Sequence, residues 1–306
     1  MKINFSDFWT GFNTSDNFFI SILKKHSINY SITNCIDEAD VVFFSLFGQN
    51  HLKAKGLKIF YSGESVILPE FMFDYCISMN PSSQRNFFYM PHWVVWDNPN
   101  KILTPKISFQ TFKKKKDCCI IIGNPNAQDR IDFYNKLSKF IKVDSGGSFM
   151  NNVGKVFLLP QKHDFISEYK FIICFENIQQ KGYCTEKLFE AMHCNVIPIY
   201  FGDPDVGKYF NQESFINILS SNDFDWNAEK VYELLKDDSK LEELWNKSWI
   251  NESNYQELLS GDKFEKFVID ALMSAKKSSN RLRWILTSIY YKNENIKFKI
   301  KQWFIS

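Results

Sequence analysis

Residues 171–202 read FIICFENIQQKGYCTEKLFEAMHCNVIPIYFG, and their pattern decides the fold class. Short apolar runs at the two ends of this stretch predict buried strands, and residues 185–194 between them have the periodicity of a helix. Thr185 is a favoured residue at the start of a helix, and Asn195 suits the left-handed conformation that often follows the end of one. Two strands joined by a helix indicate a parallel sheet with a crossover connection.

The same alternation of strands and helices is found on both sides of a lysine cluster at 113–116. The predicted strands are 41–47, 57–63, 118–124, 171–176 and 196–202, and the predicted helices are 17–26, 127–140 and 185–194. We therefore expect two α/β halves that join near residues 108–117, and ligands of such proteins bind where the strands end.

The composition excludes several classes of protein. The formal net charge is only +2, whereas proteins that bind nucleic acid need a clear excess of basic residues. No apolar run approaches the roughly 18 residues needed to cross a membrane. The seven cysteines have no spacing typical of a zinc site or a disulfide framework, so we expect buried free thiols in a cytoplasmic protein.

The segment 175–188 carries the polar residues expected of a ligand site. It follows a strand and begins a helix, so its N–H groups and the helix dipole suit an anion such as phosphate. Lys187 adds a positive charge, Glu186 can accept hydrogen bonds from a ribose, and Gly182 lets the backbone approach a ligand closely. An ordinary loop before a capped helix explains the same residues equally well at this stage.

This segment resembles the signature of the α-1,3-fucosyltransferases, glycosyltransferase family 10, in which F-E-N is followed by Y-V-T-E-K-L and a strand. Four further segments resemble family motifs in the same order along the chain. They are FYSGESVILPEFMFDYCIS (60–78), RNFFYMPHW (85–93) where the family has R-Y-x-R-M-P-L-Y, IIGNPNAQDRIDFYNKL (121–137) and SGGS (145–148). Five motifs in order make the resemblance specific over about residues 57–210.

The resemblance implies a GT-B fold, in which two Rossmann-like domains face a central cleft. Residues 1–112 would form the N-terminal acceptor-binding domain, and residues 113–280 would form the C-terminal domain that binds the GDP-sugar donor. The resemblance also implies an inverting transfer of L-fucose from GDP-β-L-fucose to a hydroxyl, O3 of GlcNAc or glucose, of a glycan acceptor. We expect that acceptor to be an oligosaccharide or glycolipid of a bacterial surface, such as the lipopolysaccharide O-antigen.

Individual residues acquire roles through the resemblance. The donor-binding residues would be Asn124, Arg130, Glu176, Asn177, Tyr183, Glu186 and Lys187. Glu64 matches the glutamate proposed as general base, which would take the proton from the acceptor hydroxyl. Arg130 and Lys187 would stabilise the charge that develops on the leaving diphosphate, so we expect no metal cofactor.

Several positions depart from the family pattern or have a second explanation. Ser65 replaces the usual asparagine after Glu64, which puts the orientation of that glutamate in doubt, and Cys184 replaces a valine. Asp203 and Asp205 form a D-x-D sequence, which binds metal in a different glycosyltransferase architecture, but a Gly-Asp-Pro turn is the favoured interpretation.

Two other functions and two roles for the C-terminal tail remain open. The chain would also fit a transferase of the same fold that uses another GDP-sugar, or a carbohydrate-binding relative without activity. The tail, residues 281–306, combines aromatic and basic side chains. This composition suits the anionic inner face of a cytoplasmic membrane, and it suits a final helix and strand packed on the fold equally well.

Overall fold

The structure is a computed structural model that describes residues 1–96 and 99–274. The described chain divides into two compact units. The first unit contains residues 1–91 and 260–274, and the second contains residues 92–259. Each unit is built on one parallel sheet, as the alternation of strands and helices predicts.

The sheet of the first unit has six strands. They are β1 (Lys2–Ser6), β2 (Ser31–Ile32), β3 (Val41–Phe44), β4 (Leu57–Ser62), β5 (Tyr75–Ser78) and β6 (Phe87–Tyr89). Their order across the sheet is β2-β1-β3-β4-β5-β6, and neighbouring strands run parallel. β3 is buried along its whole length and reads VVFF, a continuous apolar run typical of parallel strands covered on both faces.

The sheet of the second unit has five strands. They are β7 (Lys116–Ile120), β8 (Val143–Ser145), β9 (Tyr169–Ile173), β10 (Ile197–Tyr200) and β11 (Ile216–Asn217). Their order is β11-β10-β9-β7-β8, again with parallel neighbours. β10 is buried throughout, although it contains Pro198.

Helices connect the strands in both units. The α-helices are α1 (Phe18–Lys25), α2 (His92–Trp96), α3 (Phe109–Phe112), α4 (Gln128–Leu137), α5 (Gln161–Ser167), α6 (Glu186–His193), α7 (Phe224–Lys236), α8 (Asp238–Asn246), α9 (Glu252–Leu259) and α10 (Asp262–Ser274). The start of α1 shows how the sequence specifies them, because the side chain of Asn17 accepts hydrogen bonds from the N–H groups of Phe19 and Ile20. The elements predicted within 171–202 are confirmed as β9, α6 and β10, although β9 begins two residues earlier and ends three residues earlier than predicted. Asn195 has the expected left-handed backbone, with φ +57°.

The division between the units differs from the boundary placed at residues 112 and 113. Trp93 of α2 is fully buried, and its ring lies 5.2 Å from the rings of both Phe210 and Tyr255. These contacts make the segment after Pro91 part of the second unit. Such packing joins residues that are distant in sequence, so the local pattern does not reveal it.

The second difference is that α10 belongs to the first unit rather than to the second. Its Phe264 lies 6.0 Å from the ring of Phe18 in α1 and 5.3 Å from the ring of Phe88 in β6. Glu265 pairs with Lys25 at 2.7 Å and with His26 at 2.8 Å. The chain therefore returns to its first unit after completing the second.

The order of strands reverses at one point in each sheet. In the first unit the chain leaves β1 for β2 on one side and then places β3 on the other side, so the reversal lies between β1 and β3. In the second unit the reversal lies between β7 and β9. Loops diverge at the carboxyl ends of the strands at such points, and the crevice between them is where α/β proteins bind ligands.

Within residues 1–96 and 99–274, no helix combines the length and the apolarity needed to cross a membrane. The tail at 281–306 lies outside the described residues. All seven cysteines lie within the described ranges and are free, and each except Cys35 is buried.

Candidate active site

The loop after β9 is organised around the buried carboxylate of Glu176. Its Oε1 accepts a hydrogen bond from the backbone N–H of Thr185 at 2.7 Å, and its Oε2 accepts one from the Thr185 hydroxyl at 2.7 Å. The Lys187 ammonium lies 3.2 Å from the same Oε2. Thr185 thus stands at the N-cap of α6, but its hydroxyl binds Glu176 and does not cap the helix as the sequence suggests.

Gly202, which follows β10, leaves the space that Glu176 occupies. A Cβ atom at Gly202 would lie 2.5 Å from Glu176 Cγ and 2.5 Å from the hydroxyl oxygen of Tyr200. Both separations are shorter than carbon contacts allow, so a side chain at this position would displace the carboxylate or the phenol. Gly202 is therefore needed because the side chains of Glu176 and Tyr200 lie close to its backbone, and not because of an unusual φ.

Arg130 of α4 places a buried guanidinium beside this loop. Its Nε donates a hydrogen bond to the carbonyl of Phe175 at 2.9 Å, and its Nη2 donates to Asn177 Oδ1 at 2.6 Å. Burial lowers the pKa of Arg130, and the nearby charge of Glu176 opposes that effect. The group stays cationic because the ordinary pKa of arginine lies far above neutrality. The two bonds fix the plane of the guanidinium and use two of its five N–H donors.

Glu186 and Lys187 begin α6 as a coupled pair. Lys187 Nζ lies 3.4 Å from Glu186 Oε1. Burial acts to lower the pKa of Lys187, but the charges of Glu176 and Glu186 outweigh it and raise that pKa. Burial acts to raise the pKa of Glu186, but Lys187 and His92 outweigh it and hold that pKa well below its usual range. Both groups are therefore ionised at neutral pH.

His92 of α2 lies beside Glu186, although its sequence context does not assign it to the site. Its Nδ1 lies 3.5 Å from Glu186 Oε2. The family-like motif carries leucine where this chain has His92, so the departure from M-P-L to M-P-H is the signal that points to it. The structure therefore places the M-P-H segment next to Glu186 at the start of α6.

A second ionic group extends the site one turn further along α6. Glu190 is buried, and it binds Lys162 and His163 of α5, with His163 Nε2 3.3 Å from Glu190 Oε1. The positive charge of Lys162 also contributes to the lowered pKa of Glu186. These residues alternate with apolar ones in a helical pattern, so spacing alone gives no indication of their position near the site.

The structure also brings Tyr183 and Asn124 to the carboxyl edge of the second sheet. Tyr183 is buried in the loop between β9 and α6, close enough to Arg130 and Lys187 to affect the pKa of each. Asn124 lies in the loop between β7 and α4, where its side chain accepts a hydrogen bond from the N–H of Asn126 at 2.9 Å. Two loops flank the β7–β9 reversal, one between β7 and α4 and the other between β9 and α6. All seven residues assigned to donor binding lie in these loops or in the first turns of the helices that follow them.

The D-x-D sequence has a structural role in this loop system. Asp203 Oδ1 accepts hydrogen bonds from the N–H groups of Gly182 at 2.8 Å and Asp205 at 2.9 Å. Gly182 has φ +80°, which favours glycine, and Asp205 pairs with Lys181 at 2.7 Å. Both carboxylates hold the loop that carries Tyr183. In the part of the chain that the structure describes, no three His, Cys, Asp or Glu side chains are grouped as metal ligands.

Glu64 lies in the first unit, just after the carboxyl end of β4. The Ser62 hydroxyl accepts a hydrogen bond from the Glu64 N–H and donates one to the Glu64 carbonyl, both at 3.0 Å, which forms a tight turn. Ser65 Oγ donates to Asn80 Oδ1 at 3.4 Å, so the residue that replaces the family asparagine bonds to the next loop. Glu64 is half-buried at this edge of the sheet.

The chemistry of the second unit's site follows from its charges. Arg130 and Lys187 are two positioned cations beside the N-terminal end of α6. The carboxylates of Glu176 and Glu186 hold Lys187, and the Phe175 carbonyl and the Asn177 amide oxygen hold Arg130. A guanidinium binds phosphate oxygens through paired N–H bonds, and an ammonium adds a compact charge. The arrangement suits a diphosphate together with a ligand that carries hydroxyl groups for Glu186.

Two α/β units, each built on one parallel sheet with a strand reversal, have the architecture of a GT-B glycosyltransferase. The described coordinates superpose on a crystal structure of an α1,3-fucosyltransferase with GDP-fucose with a TM-score of 0.70 at 24% identity, over 86% of this chain and 89% of that one. The chain belongs to glycosyltransferase family 10, the fucosyltransferases, because the C-terminal model of that family matches residues 111–278. A model of the α-(1,3)-fucosyltransferase FucT N-terminal domain matches residues 3–96.

Two curated relatives extend this comparison. The α-(1,3)-fucosyltransferase FucT of Helicobacter pylori is 42% identical over 112 residues, which are 37% of this chain and 23% of the relative. A putative fucosyltransferase R654 of Acanthamoeba polyphaga mimivirus is 31% identical over 238 residues, 74% of this chain and 38% of the relative. The chain thus spans less than half the length of these curated relatives.

Proposed function

We propose that this chain is an inverting fucosyltransferase that moves L-fucose from GDP-β-L-fucose to a hydroxyl of a glycan acceptor. The observation that carries the proposal is the pair of cations, Arg130 and Lys187, which Glu176 and its loop hold at the strand reversal of a family 10 sheet. Both cations are positioned by the protein itself, so they stabilise a leaving diphosphate without further reorganisation. The similar crystal structure with GDP-fucose supports the choice of donor.

The transfer is a single displacement in this proposal. The acceptor oxygen forms a bond to C1 of fucose while the bond from C1 to the β-phosphate oxygen breaks. The bonding electron pair leaves with GDP, where Arg130 and Lys187 stabilise the new negative charge. The proton of the acceptor hydroxyl passes to the carboxylate of Glu64. The two cations supply the charge that a metal ion supplies in other transferases.

The remaining donor residues orient the nucleotide sugar. Glu186 is ionised, so both of its oxygens are available only as acceptors, which suits the hydroxyl groups of a ribose. Asn177 fixes the guanidinium of Arg130, while Tyr183 and Asn124 line the two loops beside it. We assign donor binding to the second unit and acceptor binding to the first, with O3 of GlcNAc or glucose in a surface glycan such as the lipopolysaccharide O-antigen as the acceptor.

The test begins with nucleotide binding, because GDP is the part of the donor that the cations contact. Saturating GDP should raise the melting temperature of the full chain, since a ligand that binds only the folded state stabilises it. A panel of GDP-sugars, assayed for hydrolysis without acceptor, should then show preference for GDP-fucose. Absence of GDP binding would refute the proposal, and preference for another GDP-sugar would keep the mechanism but change the donor. Donor binding without turnover on any glycan would indicate a non-catalytic relative.

A further inference from the structure

A cluster of aromatic rings lies at the carboxyl end of β1 in the first unit. Trp9 is 42% exposed, although its ring centre lies 5.0 Å from Phe12, 5.6 Å from Phe8, and 6.5 Å from both Phe47 and Tyr61. Phe8 and Phe12 are themselves stacked at 4.0 Å. Trp9 is therefore supported from behind by packed rings and presents part of its indole to solvent.

The backbone that carries Trp9 is fixed by an unusual contact. Asp7 has φ +59°, in the left-handed region that side chains other than glycine rarely adopt. Its buried carboxylate accepts hydrogen bonds from the N–H groups of Asn50 at 3.0 Å and His51 at 2.8 Å, and it contacts His51 Nδ1 at 2.7 Å. Gly48 leaves room for this carboxylate, because a Cβ there would lie 2.4 Å from Asp7 Oδ1. Backbone strain that the surroundings impose in this way is concentrated at functional sites.

The position of the cluster in the sheet is that of a ligand site. Asp7 joins the loop after β1 to the loop after β3, and these two strands flank the strand reversal of the first sheet. Trp9 and Phe47, which is 38% exposed, stand on the two loops. The unit therefore presents an apolar surface at the place where its topology opens a crevice.

Tyr61 connects this surface to Glu64. Tyr61 lies in β4, and Glu64 follows the carboxyl end of that same strand; burial and, after it, the charge of Glu64 raise the pKa of Tyr61. The Tyr61 ring lies 6.5 Å from Trp9 between ring centres. If Glu64 takes a proton from the acceptor, then the sugar that carries that hydroxyl must bind within reach of this group of rings.

We propose that Trp9 is the stacking platform for a pyranose ring of the acceptor glycan, an inference that rests on the transferase function proposed above. One face of a pyranose ring is made of C–H groups, while its hydroxyls project from the edge. An indole face is apolar and carries the negative part of the aromatic quadrupole, so it complements such a C–H surface. In this arrangement Trp9 packs on the face of the sugar, and a hydroxyl at the edge of the sugar can reach the carboxylate of Glu64.

The test compares Trp9→Ala, Trp9→Leu and Trp9→Phe with Trp226→Ala. Trp226 lies on α7 of the second unit and is 62% exposed, so it controls for loss of an exposed indole. The acceptor KM for N-acetyllactosamine, with saturating GDP-fucose, should rise roughly tenfold or more in Trp9→Ala and Trp9→Leu. Trp9→Phe should lose less, because it keeps an aromatic face. GDP affinity and donor hydrolysis should be unchanged in all four variants.

A second arm separates failure of this inference from failure of the proposed function. Fluorescently labelled full-length protein, wild type and Trp9→Leu, is applied to an array of GlcNAc- and glucose-containing oligosaccharides, while GDP binding is measured by calorimetry. Loss of wild-type array signals in Trp9→Leu supports the platform, whether or not GDP binds. An unchanged array pattern, or an unchanged KM, overturns it. A wild-type protein that binds GDP but no glycan also overturns the platform and leaves the donor site intact, and one that binds neither refutes both.

Discussion

Replacement of Glu176 by glutamine tests whether its carboxylate organises the donor site. The three bonds to Glu176 come from the Thr185 N–H, the Thr185 hydroxyl and the Lys187 ammonium, and its side chain is fully buried. Hydrogen bonds to a charged group contribute about 1.5–3 kcal/mol each. Glutamine keeps one acceptor oxygen, but its N–H₂ group must face either the Thr185 N–H or both the Thr185 hydroxyl and the Lys187 ammonium, which are donors themselves. We therefore expect Glu176→Gln to lower the free energy of unfolding by about 2–4 kcal/mol.

The same variant should weaken GDP binding, because Lys187 loses the partner that positions its ammonium. We expect an increase in the Kd for GDP of roughly tenfold to a hundredfold, equivalent to about 1.4–2.8 kcal/mol. Urea denaturation gives the stability, and titration calorimetry with GDP gives the affinity. The matched control is Glu168→Gln, since Glu168 pairs with Lys116 at 2.6 Å but both side chains are more than half exposed. Exposed pairs of this kind contribute about 0–1 kcal/mol.

The reasoning would be refuted if Glu176→Gln behaved like Glu168→Gln in both measurements. Unchanged stability would mean that the three hydrogen bonds to the Glu176 carboxylate contribute little to folding in solution. Reduced stability with unchanged GDP affinity would mean that Lys187 is held by other groups or does not contact the nucleotide. Each result assigns the failure to a different contact of Glu176.

Three further changes test other parts of the molecule. Glu64→Gln keeps the size of the side chain and removes the base, so kcat should fall by roughly two to four powers of ten while calorimetry shows unchanged GDP affinity; normal turnover would remove Glu64 from the mechanism. Asp7→Asn should destabilise the chain by about 2–4 kcal/mol at pH 7. Burial acts to raise the pKa of Asp7, but its bonds to His51 and Asn50 outweigh it and lower that pKa. The stabilisation by Asp7 is therefore present above roughly pH 4 and is lost as the pH falls through the depressed pKa. The free energies of unfolding of wild type and Asp7→Asn, measured in urea, should therefore converge in acid. A difference that stays constant with pH would contradict this. EDTA should leave most of the transferase activity, because Arg130 and Lys187 supply the positive charge; complete loss that Mn²⁺ restores would return the Asp203 motif to consideration.

The elements that sequence analysis predicts well are those specified by neighbouring residues. The apolar run 41–47 contains β3, and 171–176 contains most of β9, because parallel strands buried on both faces need continuous apolar sequence. The donor motif is also local, since Glu176 and Lys187 lie in one loop and the helix after it. These two residues are close in space because they are close in sequence, so a linear motif is enough to predict their proximity.

Features that depend on distant contacts were not predicted. The sequence identifies Thr185 as a helix cap, but it does not show that Glu176 competes for its hydroxyl. His92 stands beside Glu186 because Trp93 is packed in the second unit, and that burial has no local pattern. The sequence around Trp9 does not show that other aromatic rings pack against its indole in the folded unit.

Within residues 1–274, the return of α10 to the first unit makes the chain cross between its units twice, at Pro91–His92 and at Leu259–Ser260. A single proteolytic cut at Leu259–Ser260 leaves the units covalently joined at Pro91–His92, whereas a cut at Pro91–His92 leaves residues 1–91 linked to the rest of the chain through their noncovalent packing on α10. Recombination that exchanges the second unit must accordingly replace residues 92–259 as an insert with two junctions. A simple exchange of C-terminal halves would carry α10 away from Phe18 and Phe88 and leave those rings without the Phe264 that packs on them.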